Sequence, residues 1–481
     1  MKVLKYSFIF LVIFLMYNCT ASREMQTSNS SQMLTQKINS AIKESGLKPN
    51  MGIKVKSLNS GKTLYSLNSD HLFIPASNNK IYTASAALHY LSPQFRFETS
   101  VWIDSTQQNS DHVPRLVLVG GGDPDIFLRE LESIAKEINK SVKSIDTIII
   151  DNSLFDDTQL GPGWMWDEGS GWYAAPVDAL SFNDNCIDIT TTPGPIGEKP
   201  LVTINPPTNY VEIRNEAVTV SDTIDFVGFD IERRWWKKNN IFDIEGEIFY
   251  TEGEDVYFRN VENPALYTGT VFAELLSKYG TEVKTVVIEG EKSENMIPLY
   301  TYYSEPLASS VTNFLKTSDN LSGELFVKMI GHATTFEQGN WDNGMHAIKT
   351  FLNDEVKIDT TLMRIVDGSG LSRYNSTSPN QFTQLLEYMY SNYTINAEFL
   401  SALPTGGWDG TLKNRMDAIE YDRGIRAKTG TMSGVSCLSG YAYTENGEPL
   451  VFSIMMNGYV GSSAPYRNLQ DRICEILINI N

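Results

Sequence analysis

Apolar and polar positions change their period several times along this chain, and each change marks a part. From about residue 33, MLTQKINSAIKES spaces its apolar residues three and four apart, which predicts a helix. MGIKVKSLNSGKTLYSLN then alternates, predicting two strands joined at Asn59-Ser60-Gly61. Helical spacing returns over about 77–91, with Ile81, Ala84 and Leu88 on one face. From about 95 to 295 short strand patterns dominate (RLVLVGGG, SIDTIIID, YVEIRN, KTVVIEGE), separated by turn clusters. SEPLASSVTNFLKTSDNLSGELFVKMIGHATT and QFTQLLEYMYSN restore the helical period. The stretch from Gly424 to Tyr459 alternates like an antiparallel sheet with a turn at Asn446-Gly447, and a last helix is expected over 464–479.

These periods describe an α/β chain of the multi-domain α+β kind. Its simplest plan is one domain built from 33–95 and 296–481, interrupted by a β-rich insertion. Within the insertion a Pro-rich stretch, TTPGPIGEKPLVTINPP, opens a nested module over 191–262. That leaves 96–190 and 263–295 as a second domain. The glycines at 120–122 are read as a structural turn, because no Gly-Lys-Ser/Thr or dinucleotide-binding spacing follows them.

The first residues carry an address. MKVLK bears two lysines, and a largely apolar run from Tyr6 to Tyr17 follows, long enough for a signal-peptide core and short for a membrane span. Cys19 then stands where cleavage is expected. Its setting resembles the lipidated cysteine of bacterial lipoproteins, although Met16 and Asn18 depart from the usual box. The reading is a lipoprotein-type signal over 1–19, a polar tether over 20–32, and a periplasmic protein held to a membrane by a lipid; the alternative is simple cleavage nearby, for example after Ala21. Cys186, Cys437 and Cys474 are odd in number and scattered, so they are expected to be buried, inert thiols rather than a disulfide framework. A formal net charge of −19 argues against nucleic acid as a partner.

Ser77 and Lys80 sit three apart at the start of a helical pattern. Residues at i and i+3 share a helix face, so the amine can serve the hydroxyl as a base. Unpaired backbone N–H groups at a helix start also favour the negative charge that develops on acyl transfer. The spacing by itself says little: it recurs at Ser40/Lys43, Ser45/Lys48 and Ser133/Lys136, and Ser77 or Asn78 could simply cap the helix. Its weight comes from Ser318-Asp319-Asn320, at the start of a second helical pattern, and Lys428-Thr429-Gly430, at the head of a strand pattern. Ser-x-x-Lys, Ser-Asp-Asn and Lys-Thr-Gly in that order are the signature of penicillin-binding proteins and serine β-lactamases. The five histidines show no metal-ligand spacing, and no metal or other cofactor is implied.

The long span between Ser77 and Ser318 exceeds what a β-lactamase accommodates. With LVGGGDPDIF (118–127), GPGWMWDE (161–168), ALSFNDNCIDI (179–189), VENPALYTGTVF (261–272), SDNLSGEL (318–325), VDGSGLSRYN (366–375), LPTGGWDGTL (403–412) and KTGTMSG (428–434), the chain resembles the class C low-molecular-mass penicillin-binding proteins over nearly its whole mature length. These are D-alanyl-D-alanine carboxypeptidases and endopeptidases. The resemblance implies a split transpeptidase-like domain with two nested smaller ones, peptidoglycan stem peptides as substrate, and inhibition by β-lactams.

It also implies roles. Ser77 is the nucleophile and Lys80 its base, Ser318 carries protons, Asn320 meets the substrate amide, and Lys428 with Thr429 and Thr431 meets the terminal carboxylate. Gly430 is expected to let the substrate backbone approach the strand. Arg373, with Asp167 or Glu168, would hold the zwitterionic end of meso-diaminopimelate; the other readings are a surface ion pair for Arg373 and packing contacts for Trp164 and Trp166. Two alternatives of function stay open: a β-lactamase or esterase on the same core, and a non-catalytic cell-wall-binding protein.

Overall fold

The computed structural model describes residues 31–221, 227–290, 292–416 and 424–480. Cys19, the leader and most of the tether expected over 20–32 lie outside these. The chain forms two compact units, one of residues up to Asn78 with Ser376–Asn392 and Leu403 onward, the other of Asn79–Asn375 with Tyr393–Ala402.

The first unit is built on a five-stranded antiparallel sheet in the order Ile425–Met432, Val435–Tyr443, Pro449–Asn457, Asn50–Ser57, Thr63–Leu67. The N-terminal hairpin and the turn at Asn446-Gly447 fall where the alternation placed them. Strand side chains point alternately to the two faces. Phe452, Ile454 and Met456 join Leu34, Ile38 and Ala41 of the helix at 31–45 and Leu469, Ile473 and Leu477 of the helix Ala464–Ile478 in one core. The helix Pro379–Ser391 packs on the sheet as well, and the buried Tyr441 donates its hydroxyl to the Leu386 carbonyl, 2.7 Å. Ile425–Met432 is an edge strand.

The second unit holds the β-rich insertion and a helical group. Its largest sheet runs Glu282–Glu289, Ser144–Asp151, His112–Val119, Glu98–Asp104, Met296–Tyr303. The first three strands are parallel, and the last two join antiparallel. Parallel neighbours need crossover connections, which the helices Leu128–Asn139 and Pro264–Lys278 help to supply. Strand Met296–Tyr303 belongs to this sheet, beyond the edge at 295 expected for the insertion. Smaller sheets form from strands between Cys186 and Asn260, the first of which, Cys186–Thr192, begins ahead of the stretch 191–262 read as a nested module. The helical group comprises Lys80–Leu91, Leu307–Thr317, Asn320–Thr335, Trp341–Asp354 and Asn396–Ala402. Cys186, Cys437 and Cys474 are buried free thiols, and burial raises the pKa of each.

The glycines at 120–122 are structural, as expected. A Cβ on Gly121 would lie 1.9 Å from the Glu98 carbonyl oxygen, and Gly122 has φ +71°. Gly121→Ala is expected to destabilise the protein by about 1–3 kcal/mol, as overpacking against a fixed backbone does. Gly253→Ala, where nothing lies within 4 Å of the added carbon, should be close to neutral. Urea unfolding midpoints of the two variants check this.

Candidate active site

Ser77 occupies a single 3-10 turn, Ala76–Asn79, that runs without a break into the helix Lys80–Leu91. From Pro75 to Leu88 every residue is buried except Ser77, which is partly exposed. That exposure inside a buried run is what a nucleophile needs and what a packing helix would not provide. Ala76, just before it, has φ +48°, a left-handed conformation that alanine rarely adopts. Strain of this sort persists where the surroundings over-determine a functional position. The lysines of the other Ser-x-x-Lys pairs, Lys43, Lys48 and Lys136, are all exposed, whereas Lys80 is fully buried. Burial, invisible in the spacing, separates the pairs.

In the first unit the Ser77 turn packs against the Lys-Thr-Gly strand. A Cβ on Gly430 would lie 2.5 Å from the Pro75 carbonyl oxygen and 2.9 Å from the Asn78 nitrogen. The close approach that Gly430 allows is therefore made by the chain's own Ser77 turn, a constraint the sequence did not suggest. Asn78 donates its side-chain amide to Ser439 Oγ at 2.7 Å, and Ser439 in turn donates to Ser453, tying the turn to the sheet. Lys428 is buried, with Nζ 3.0 Å from the Thr429 carbonyl oxygen. Thr429 donates to Thr411 Oγ1 at 2.8 Å, and Thr431 is exposed on the edge strand.

In the second unit Lys80 is the centre of a polar cluster. Its Nζ donates to Asn320 Oδ1 at 2.6 Å and to the Ser369 carbonyl oxygen at 2.8 Å. Loss of solvent lowers its pKa from 10.5 to about 8, against the opposing fields of Asp319, Glu324 and Asp367. The two buried carboxylates are held by donors. Glu324 accepts from the backbone N–H of Gly368 and Ser369 and from Trp341 Nε1, each at 2.8 Å. Asp367 accepts from the N–H of Gly370 and Ser372, from Asn375 Nδ2 and from Trp164 Nε1. Burial raises the pKa of both, and Asp367 adds to the rise at Glu324. Asn79 donates to the Asp367 carbonyl oxygen at 2.7 Å.

The Ser-Asp-Asn motif sits where two helices break. Ser318 ends Leu307–Thr317 with φ +65°, and Asp319 caps Asn320–Thr335 by accepting from the N–H of Leu321 and Ser322. Asn320 has both ends of its amide engaged: Oδ1 faces Lys80, and Nδ2 donates to the Tyr173 carbonyl oxygen at 2.8 Å. Its visible work is to orient Lys80, with one N–H left for a substrate.

The loops expected to recognise the substrate side chain lie together in this unit. A Cβ on Gly163 would lie 2.4 Å from the Tyr374 ring and 2.6 Å from Ser372 Oγ, so the stretches around Trp166 and Arg373 abut. Arg373 is half-buried, Asp167 exposed and Glu168 half-buried on the 3-10 turn Trp166–Glu168. Trp164 is bound to Asp367, while Trp166 is 77 % exposed, with its ring against that of Trp235. Motif reading passed over Glu324, Asp367, Ser369 and Asn79 as functional positions. The first three stand inside stretches already singled out, but a buried carboxylate has no sequence mark of its own.

A profile of the D-Ala-D-Ala carboxypeptidase 3 (S13) family matches residues 34–479. The D-alanyl-D-alanine carboxypeptidase of Actinomadura sp. (strain R39) is 31% identical over 427 residues, covering 85% of this chain and 78% of that one. The D-alanyl-D-alanine carboxypeptidase DacB of Haemophilus influenzae is 26% identical over 421 residues, 85% and 86% of the two chains. Among solved structures, penicillin binding protein 4 of Haemophilus influenzae superposes with a TM-score of 0.79 at 23% identity, over 93% of this chain and 99% of that one. The penicillin-binding fold expected from the motifs is thus observed. With its family profile spanning almost every described residue, the chain belongs to the S13 family of serine-type D-Ala-D-Ala carboxypeptidases.

Proposed function

We propose that Ser77 carries the acyl-enzyme of this peptidase, with Lys80 as its base. The observation that carries the assignment is the contrast between them: a partly exposed hydroxyl three residues before a fully buried amine, on an unbroken helical run. Lys80, with its pKa lowered to about 8, is neutral often enough near neutral pH to take a proton.

The reaction proceeds as follows. Lys80 Nζ takes the Ser77 proton while Ser77 Oγ bonds to the carbonyl carbon of the penultimate D-alanine. The oxyanion is met by backbone N–H groups of Ser77 and Thr431. The C–N bond then breaks, and the leaving amine receives, through Ser318, the proton that Lys80 took from Ser77. Water, deprotonated by Lys80, cleaves the ester and frees Ser77. Lys428, Thr429 and Thr431 meet the substrate carboxylate, and Asn320 uses its remaining N–H on the substrate amide. Terminal D-alanine and a D-alanyl–diaminopimelate cross-link differ only in the leaving amine, so carboxypeptidase and endopeptidase action follow from one acylation step. Arg373, with Asp167 or Glu168, receives the zwitterionic end of the diaminopimelate side chain. Cys19, after its apolar leader, supports a lipid-anchored periplasmic location.

Intact mass spectrometry after exposure to benzylpenicillin should show one lasting adduct on the wild type and none on Ser77→Ala. An adduct on Ser77→Ala would remove Ser77 as nucleophile. Arg373→Ala should lower kcat/KM for a diaminopimelate-containing stem peptide by roughly tenfold or more, as loss of a charge-assisted contact does, and leave acylation by benzylpenicillin nearly unchanged. Equal losses on both would refute its recognition role.

A further inference from the structure

The second unit contains a cavity of ≈ 800 Å³ that adjoins the turn Trp166–Glu168, with Glu168 on its wall, and continues among residues that have no part in the acylation chemistry. Its volume is that of a small-molecule site. Four of the chain's eight tryptophans, Trp164, Trp166, Trp235 and Trp236, line it. Trp166 is 77 % and Trp236 59 % exposed, an unusual state for the largest apolar side chain. The Trp166 and Trp235 rings lie 5.5 Å apart at 50°, and Trp235 and Trp236 meet edge to face at 5.9 Å. These rings give the cavity several differently tilted aromatic faces.

Polar groups stand among the rings. Arg233, Lys238 and Glu262 line the same cavity. Arg233 is 3 % exposed; one arm of its guanidinium meets Glu262 at 3.1 Å and the Asn239 carbonyl oxygen, the other Asn260. Its Nε–H is buried and has no hydrogen-bond partner among the described residues. A buried donor left unmet is costly.

We infer that this cavity binds a pyranose ring of the wall glycan. A pyranose ring presents C–H groups on one face, which suit the electron-rich face of an indole, and hydroxyls around its edge, which suit charged side chains. An excess of negative charge on the chain disfavours a nucleic-acid base as the stacking partner. The site deepens the peptidase reading and rests on it, since stem peptides hang from such sugars. A path within the unit joins the two: Trp164 Nε1 donates to Asp367, whose loop offers the Ser369 carbonyl oxygen to Lys80.

The test uses the full chain first converted to its penicilloyl form, confirmed by mass, so that peptide binding at Ser77 is blocked. The probe is a β-1,4-linked tetramer of N-acetylglucosamine, followed by calorimetry. Saturable binding is expected, weakened roughly tenfold in Trp236→Ala and in Trp166→Ala, the effect of removing one stacking face. No saturable binding by the wild type, or undiminished binding by both variants, would overturn the inference. So would tighter binding of a stem peptide without sugar to the penicilloyl form. The prior acylation reports on the peptidase reading separately, so failure of one is not failure of the other.

Discussion

Lys80 is a fully buried ammonium, and the second unit is arranged around that fact. Taking such a charge out of water costs several kcal/mol unless acceptors and opposite charge surround it. Asn320 and the Ser369 carbonyl supply the acceptors, and Asp319, Glu324 and Asp367 supply the field. Each buried carboxylate needs donors in its turn, and those come largely from backbone N–H groups between Gly368 and Ser372. The loop's shape is thus set by the charges it must satisfy. The same balance leaves the amine less basic than a solvated lysine, which is the property a base near neutral pH requires.

Two helices give up regularity at the motif positions. Ser318 has a left-handed backbone between Leu307–Thr317 and Asn320–Thr335, and Ala76 has one just before Ser77. Neither residue is a glycine, so both conformations cost energy that the surrounding packing offsets. The break at Ser318 lets Asp319 cap the new helix and sets Asn320 on its first turn, toward Lys80. In the first unit, Gly430 leaves room for the Ser77 turn to lie against the strand Ile425–Met432.

The sequence carried the local structure well where a period was long or a turn residue explicit. The strand at 144–151, the N-terminal hairpin and the last helix fall where the pattern put them. The helix start expected at Ser318-Asp319-Asn320 is observed, while the left-handed backbone of Ser318 that ends the helix before it has no mark in the apolar spacing. The extent of the large sheet was short by the strand Met296–Tyr303, whose partner Glu98–Asp104 is remote in sequence. The motif residues were legible because their types and order are distinctive. What surrounds them was not. Glu324 and Asp367 look like ordinary acids in a helix and a loop until burial is known. Trp235 and Trp236 gave no sign of sharing a cavity with Trp166.

The central claim is that a buried, partly neutralised Lys80 activates Ser77. Its most direct test is the rate of acylation by benzylpenicillin as a function of pH, in the wild type and in Asp319→Asn. Asparagine keeps the helix cap and removes a charge that favours protonated Lys80. Because the folded pKa is lowered, the neutral amine gains population as pH rises through about 8, so the rate should climb through that value. In Asp319→Asn the rise should move to lower pH. A rate that is flat across that range, or a rise that moves to higher pH in the variant, would contradict the account.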